Sequence, residues 1–228
     1  MSSMGEMPMP GGWTMTMTWM RMPGQTWPGA AASFVGMWGV MMAAMMLPSL
    51  VPMLWRYHQA VGGQNHTRVW RLTTIVGAGY FVVWTAFGIA AYPLGVALAT
   101  FEMQQPAVAR AVPAAIGVVV LVVGALQFTE WQRRQLACCR EMQACGCALP
   151  ADTRTAWRCG LRLGLHCCSC CAGLTTLLLV AGVMDVRVMA FVTAAITIER
   201  LAPGDAQVAR ALGAVVVVVG LVLIVKTL

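Results

Sequence analysis

The sequence predicts an all-α, polytopic membrane helix bundle with about six transmembrane helices and an N-terminus outside the cytoplasm. Of its 228 residues, 59% are hydrophobic and 10% are charged, whereas a soluble domain carries about 25% charged residues. The apolar residues also gather in runs near the roughly 20 residues that cross a hydrocarbon core. The chain has too few polar residues to cover a soluble surface, so we expect the lipid bilayer to be its main partner.

Five apolar runs are long enough to cross a bilayer. They cover residues 30–54, 72–100, 111–128, 163–184 and 208–225. A shorter apolar segment, residues 188–198, extends about 16 Å as a helix and is bordered by charged residues on both sides. It crosses the membrane only if those charges enter the bilayer or snorkel to its surface. We count this segment as the sixth transmembrane helix.

The distribution of basic residues predicts the orientation. With six spans and an outward N-terminus, the outer side holds only Arg21, Arg110, Arg187 and Lys226 of the 15 Lys and Arg residues. Cytoplasmic loops carry such an excess of positive charge, so both termini are predicted outside. The net charge of +7 does not predict a nucleic-acid partner, because the basic residues do not alternate with aromatic residues.

Residues 1–29 differ from the rest of the chain. They form a Met-rich segment with eight methionines among Gly, Pro, Thr and Trp, and we find no helical or strand period in them. We therefore expect a flexible extracytoplasmic tail, followed by a helix bundle at 30–228 with a Cys-rich cytoplasmic loop at 130–162. Thioether sulfur is a soft, neutral ligand that favours Cu(I), so the tail is a candidate for Cu(I) capture. Alternatively, its methionines contact a partner or the membrane surface.

Methionines also line the first predicted span. Met37, Met41 and Met45 follow one another at intervals of four residues and therefore form one stripe on a helix, while Met42 and Met46 form a neighbouring stripe. The functional interpretation is a soft-metal path through the membrane. The structural alternative is that methionine only packs an irregular helix interface.

All nine cysteines lie within residues 138–171. Because this region is predicted to be cytoplasmic and reducing, metal or redox chemistry is favoured over structural disulfides. On a helix, Cys167 shares a face with Cys170 and Cys171. Such thiolates suit Cu(I) in low coordination, with Zn(II) as the alternative ion. The candidate ligands of this region are Cys145, Cys147, His166, Cys167, Cys168, Cys170 and Cys171.

The acidic residues do not predict catalysis. Asp185 and Glu199 are nearest to membrane depth, where an acid is a candidate proton relay or ion ligand. The alternative for Glu199 is a simple pairing with Arg200. Neither acid belongs to a two-carboxylate pair, a Ser-His-Asp arrangement or a Gly-rich phosphate loop. We therefore expect a protein that is not an enzyme.

Six segments carry a resemblance to known proteins: 37–52 (MWGVMMAAMMLPSLVP), 80–91 (YFVVWTAFGIAA), 127–140, 164–171 (GLHCCSCC), 181–185 (AGVMD) and 198–201 (IERL). In this order they resemble a bacterial family of uncharacterised, predicted metal-binding integral membrane proteins. The resemblance covers most of residues 37–220 and implies metal binding in the bacterial inner (plasma) membrane. The matching candidate ligands are Met41, Met45, Met46, Cys167, Cys170 and Cys171. The sequence departs from the family at Gln135, Ser169 and Ala172, where Cys, Gly and Trp are usual.

Three functions remain open at this point. The first is Cu(I) acquisition, in which outer thioethers capture the ion, the stripe of Met37, Met41 and Met45 carries it inward, and cytoplasmic thiolates receive it. The second is an accessory or assembly role in a larger membrane complex such as a copper enzyme, or with a copper chaperone as the partner. The third, thiol–disulfide exchange, is disfavoured because the cysteines do not lie on a thioredoxin-like βαβ pattern.

Overall fold

The protein is an all-α bundle, as the sequence predicts. The computed structural model describes residues 6–8, 14–16, 19, 21, 24–60, 66–144, 152–182, 185–201 and 205–227. The helices among these residues are α1 (Trp27–Ala60), α2 (His66–Gln104), α3 (Pro106–Leu126), α4 (Glu130–Ala144), α5 (Thr153–Ala181), α6 (Val186–Leu201) and α7 (Asp205–Thr227). Two short strands, β1 (Glu6–Pro8) and β2 (Thr14–Thr16), pair in antiparallel fashion within the Met-rich tail.

Five helices have the length and hydropathy to cross a membrane: α1, α2, α3, α5 and α7. Each coincides with one of the five long apolar runs of the sequence, although α3 and α5 end two and three residues before their runs do, so these predictions are confirmed as helices that can span. Helix α6 has 16 residues and is therefore about 24 Å long, shorter than a hydrocarbon core of about 30 Å. It is a sixth helix of the bundle, and its crossing of the membrane stays a prediction.

Three of the long helices exceed the thickness of a bilayer. Helices α1, α2 and α5 contain 34, 39 and 29 residues, whereas about 20 residues are enough to cross. Helix α1 alone is therefore about 51 Å long. We infer that the bundle continues beyond the hydrocarbon core.

Segment 130–162 is largely helical, although it contains no apolar run long enough to predict a transmembrane helix. Helix α4 is too polar to span, with Arg133 and Arg134 exposed, but Gln132 and Leu136 on its other face are buried against the bundle. The first turns of α5 follow from Thr153. The candidate ligands Cys145 and Cys147 lie outside the described residues.

Glycines allow α2 and α5 to approach closely. A Cβ atom added to Gly160 would lie 2.3 Å from the carbonyl oxygen of Val76, and one added to Gly79 would lie 3.0 Å from the carbonyl oxygen of Trp157. Small residues at a helix interface bring two backbones together in this way. One turn further along, a Cβ atom added to Gly164 would lie 3.0 Å from the carbonyl oxygen of Tyr80, so α2 and α5 remain close at the level of Tyr80.

Glycines also allow α3 and α7 to approach closely. A Cβ atom on Gly124 would lie 2.8 Å from the backbone nitrogen of Val217, and one on Gly220 would lie 2.8 Å from the backbone nitrogen of Leu121. These glycines recur along both helices, so α3 and α7 pack along most of their length. This pair of helices forms one side of the bundle.

The Met-rich tail contacts the bundle through Trp19. Its ring lies 5.1 Å from the ring of Phe34 on α1, and it covers Gly95 of α2 so closely that a side chain at that glycine would collide with it. The sequence predicted no strand period in the tail, yet β1 and β2 pair with Met7 opposite Met15. Threonines on both sides of Met15 favour the extended backbone that this pairing needs.

Candidate metal centre

Three thiols of α5 meet in the bundle interior. Cys167, Cys170 and Cys171 are 3% exposed or less, and the Sγ atoms of Cys170 and Cys171 are 3.6 Å apart. The Cys170 thiol also donates to the backbone carbonyl oxygen of Cys167 at 3.3 Å. The three residues recur at the spacing of one helical face, so the shared face predicted from the sequence is present.

A methionine of α1 extends this group of thiols. The Cys167 thiol approaches the Met46 Sδ atom at 4.0 Å, and Met46 is fully buried. Two sulfur atoms that bind one ion at about 2.3 Å each can be no more than about 4.6 Å apart. The Met46–Cys167 and Cys170–Cys171 distances both satisfy this limit, so small movements of these side chains suffice to place an ion between them. We call Met46, Cys167, Cys170 and Cys171 the sulfur cluster.

A tyrosine and two glutamines hold the surroundings of the sulfur cluster. The Tyr80 hydroxyl of α2 lies 2.9 Å from the Cys167 Sγ atom. Gln132 Nε2 of α4 donates to the carbonyl oxygen of Cys170 at 3.0 Å. Gln127 Nε2 donates to Glu199 Oε1 at 3.0 Å. Buried polar groups need such partners, so the first two bonds fix α2 and α4 against the thiols of α5, and the third joins the end of α3 to α6.

Arg200 places a positive charge beside the thiols. Its guanidinium group donates to Ser49 Oγ at 3.1 Å and to Cys170 Sγ at 3.4 Å, and the residue is 6% exposed. Its Nε atom has no hydrogen-bond partner. Within the described part of the chain, no carboxylate forms an ion pair with Arg200. The suggested pairing with Glu199 is therefore not what holds Arg200.

The predicted methionine stripes of α1 face the interior of the helix bundle. Met41, Met42, Met45 and Met46 are all buried, and Met37 is partly buried against the same core. Their thioethers therefore contact neighbouring helices rather than lipid. Only Met46, from the second stripe, makes a sulfur contact with a thiol among the described residues.

The other predicted ligands lie apart from the sulfur cluster. His166 Nδ1 is 3.8 Å from the Sγ atom of Cys138 on α4, and Cys168 is a partly exposed free thiol. Cys159 is disulfide-bonded, although the predicted reducing location disfavoured structural disulfides. Among the residues that the structure describes, no three His, Cys, Asp or Glu side chains form a group that could hold a metal ion. A closed four-ligand zinc site is therefore not formed by these residues.

The sulfur cluster suits a soft ion of low coordination number. Thiolate and thioether ligands select Cu(I), and two thiolates with one thioether need no third His, Cys or carboxylate. The sulfur cluster belongs to the same buried hydrophobic core as Trp84, Leu174 and Ile196. This apolar surrounding limits access of water and of hard cations to the sulfur atoms.

Sequence reasoning missed most of the polar residues around the sulfur cluster. These residues are Ser49, Tyr80, Gln127, Gln132 and Arg200. A signal for them was present, because each lies inside one of the segments that carry the family resemblance. These four segments are far apart in sequence, and the structure brings them together with a fifth, 164–171, which carries the thiols.

Comparison with known proteins agrees with a copper-related site. No curated protein and no solved structure matches the chain. The family model PpoB2, described as a copper chaperone, matches residues 35–223. That range contains the whole sulfur cluster and every polar residue around it. The chain therefore belongs to the PpoB2 copper chaperone family.

Proposed function

We propose that this protein receives Cu(I) on the methionine face of α1, holds it in the sulfur cluster, and passes it to a partner protein. In this proposal it is a binding and transfer protein of the bacterial inner (plasma) membrane and not an enzyme. The observation that carries the proposal is the contact of Met46 Sδ with Cys167 Sγ at 4.0 Å. It joins the methionines of α1 to the thiols of α5 inside the bundle.

The order of the ligands along α1 supports transfer. Met41, Met42 and Met45 are buried within about two turns of Met46, so thioethers continue from the sulfur cluster towards the N-terminal end of the helix. Thioethers are neutral and release Cu(I) more readily than thiolates do. A transferred ion must bind well enough to enter and weakly enough to leave. The methionines provide the weaker steps, and the thiols of α5 provide the stronger one.

Metal loading tests the proposal directly. The full-length protein is purified in detergent under reducing conditions and loaded with Cu(I), and its copper content and X-ray absorption spectrum are measured. We expect bound copper in an all-sulfur shell. Cys167→Ser and Cys170→Ser should each lower Cu(I) affinity by at least about tenfold, because each replaces a soft ligand by a harder one. Absence of bound copper after loading would contradict the proposal.

Two variants separate ligand loss from general damage. Cys168→Ser makes the same chemical change one residue away from Cys167, but the sulfur contacts that define the cluster among the described residues do not include Cys168, so Cu(I) affinity should stay within about threefold, or roughly 0.6 kcal/mol. Met46→Leu conserves volume, so it should cost less than about 1.5 kcal/mol of stability while removing one sulfur from the absorption spectrum. An equal loss of copper in Cys168→Ser and Cys167→Ser would argue against the sulfur cluster.

Transfer is tested separately from binding. The protein is reconstituted in lipid vesicles, loaded with Cu(I), and mixed with a fluorescent Cu(I) acceptor on one side and then on the other. Release to the acceptor on one side only would give the direction of transfer. Retention of the ion against acceptors on both sides would show a storage or structural site instead. Met42→Leu should slow exchange without changing the final amount of bound copper, because it interrupts the thioether path and leaves the thiols in place.

A further inference from the structure

Arg200 is a buried cation whose counter-charge is missing among the described side chains. The guanidinium group contacts a hydroxyl and a thiol, its Nε atom has no partner, and no carboxylate pairs with it there. Burying an unpaired charge in an apolar interior is unfavourable. A negative charge brought by the ligand of the site would therefore stabilise Arg200 in this buried position.

Copper bound by the sulfur cluster would supply that charge. Thiolates are the metal-binding form of cysteine, and the Met46 thioether is neutral. Cu(I) bound by two thiolates and one thioether carries one net negative charge. Together with Arg200, which is always protonated, the occupied site would be neutral.

We propose that Arg200 makes the sulfur cluster selective for a monovalent soft cation over a divalent one. A divalent ion on the same two thiolates and one thioether forms a neutral complex and leaves Arg200 without a counter-charge. The third thiol of the sulfur cluster would restore the balance only if it bound the same ion as a thiolate, but no three of the described Cys, His, Asp or Glu side chains, these three cysteines included, are placed to hold one ion. This inference rests on the proposed function and adds the charge class of the cargo.

The geometry makes Arg200 a positioning residue rather than a ligand. One terminal nitrogen of its planar fork holds Ser49 of α1, and the other lies 3.4 Å from Cys170 Sγ of α5. The hydrogen bond to Ser49 of α1 therefore holds the positive charge of Arg200 next to Cys170 of α5, a proposed sulfur ligand. Lysine at this position would keep the charge but would lose the fork that reaches both partners.

The test compares two ions that differ in charge and not in electron number, Ag(I) and Cd(II). Their affinities are measured by competition titration on the full-length protein in detergent. Wild type should prefer Ag(I). Arg200→Gln should lower the Ag(I)/Cd(II) affinity ratio by about 100-fold or more, because it removes one partner of a buried charge pair. Arg200→Lys should keep the ratio within about tenfold of wild type, because the charge remains.

A second pair of variants keeps the test valid if Arg200→Gln does not fold. Ser49 lies 3.1 Å from the guanidinium group, so Ser49→Asp would place a permanent anion beside Arg200 and cancel its charge. We expect Ser49→Asp to lower the Ag(I)/Cd(II) ratio in the same direction as Arg200→Gln. Ser49→Asn is the matched control, because asparagine has nearly the same shape as aspartate but no charge. It should leave the Ag(I)/Cd(II) affinity ratio unchanged.

Glu199→Gln controls for the neighbouring acid, whose Oε1 atom accepts from Gln127, and it should also leave the ratio unchanged. If Glu199→Gln shifts the ratio as much as Arg200→Gln, the counter-charge is wrongly assigned. If wild type binds Ag(I) and neither Arg200→Gln nor Ser49→Asp changes the ratio, the selectivity inference is overturned and the proposed function stands. If wild type binds neither Cu(I) nor Ag(I), the proposed function itself fails.

Discussion

Gly160 offers a quantitative test of how the fold positions the sulfur cluster. In Gly160→Ala the new Cβ atom would lie 2.3 Å from the carbonyl oxygen of Val76, whereas ordinary contact begins at 3.4 Å. The neighbour is backbone and cannot rotate away, so α2 and α5 must separate by about 1 Å. Overpacking of this kind costs about 1–3 kcal/mol, and the better helix propensity of alanine recovers at most about 1 kcal/mol of it.

The same displacement should reach the thiols. Tyr80 and Cys167 lie on α2 and α5, and the Tyr80 hydroxyl is 2.9 Å from the Cys167 Sγ atom. Separation of the two helices by about 1 Å would stretch this distance beyond the usual range of a hydrogen bond. We therefore expect Gly160→Ala to lower both the stability of the protein and its affinity for Cu(I).

Chemical unfolding in detergent and a Cu(I) competition titration measure the two effects. The control is Gly39→Ala on α1, where a Cβ atom has no heavy atom within 4 Å. This substitution should stabilise the protein by about 0.5–1 kcal/mol, because alanine favours the helix without a collision. The two alanine variants should thus have opposite signs. A Gly160→Ala protein that is as stable as the Gly39→Ala protein would refute the close contact between α2 and α5.

Three further predictions concern Tyr80, Trp38 and the bound copper. Tyr80→Phe keeps the ring but removes the hydroxyl beside Cys167, so Cu(I) affinity should fall about tenfold in a competition titration, without a change in circular dichroism. Trp38→Phe removes the bond from Trp38 Nε1 to the carbonyl oxygen of Trp84 and should cost about 1–3 kcal/mol in unfolding, while the copper X-ray absorption spectrum stays the same. Removal of copper by a Cu(I) chelator should lower the thermal midpoint of wild type, and that of Cys167→Ser by less, because a weaker-bound ligand stabilises the native state less.

The helices were predictable because their signals are local. A run of apolar residues long enough to cross a bilayer identifies a span from the sequence alone, and this was sufficient for α1, α2, α3, α5 and α7. Helix α4 was missed because its buried face consists of Gln132 and Leu136 within a polar segment, which no search for apolar runs detects. The spacing of Cys167, Cys170 and Cys171 likewise predicted one helical face, since that geometry depends on α5 alone.

The rest of the site depends on which helices are neighbours. Nothing local to Met46 marks it as the methionine that meets Cys167, 121 residues away, and the stripe of Met37, Met41 and Met45 was an equally good choice from sequence. Arg200 was counted with the cytoplasmic charges, but it lies inside the bundle against Cys170. Such contacts depend on which helix faces pack together, as those of α2 and α5 do at Gly160, and this packing exists only in the assembled bundle.

The polar residues around the sulfur cluster hold the fold and the metal ligands at once. Ser49, Tyr80, Gln132 and Arg200 come from α1, α2, α4 and α6, and each makes a hydrogen bond that reaches another helix. Inside an apolar bundle such bonds cannot be exchanged for bonds to water, so they fix the register of the helices as well as the thiols. A loss of copper binding after a drastic substitution at these positions therefore cannot distinguish a ligand role from a packing role. Changes that keep volume or charge, such as Arg200→Lys and Tyr80→Phe, and matched pairs such as Ser49→Asp and Ser49→Asn, separate the two roles.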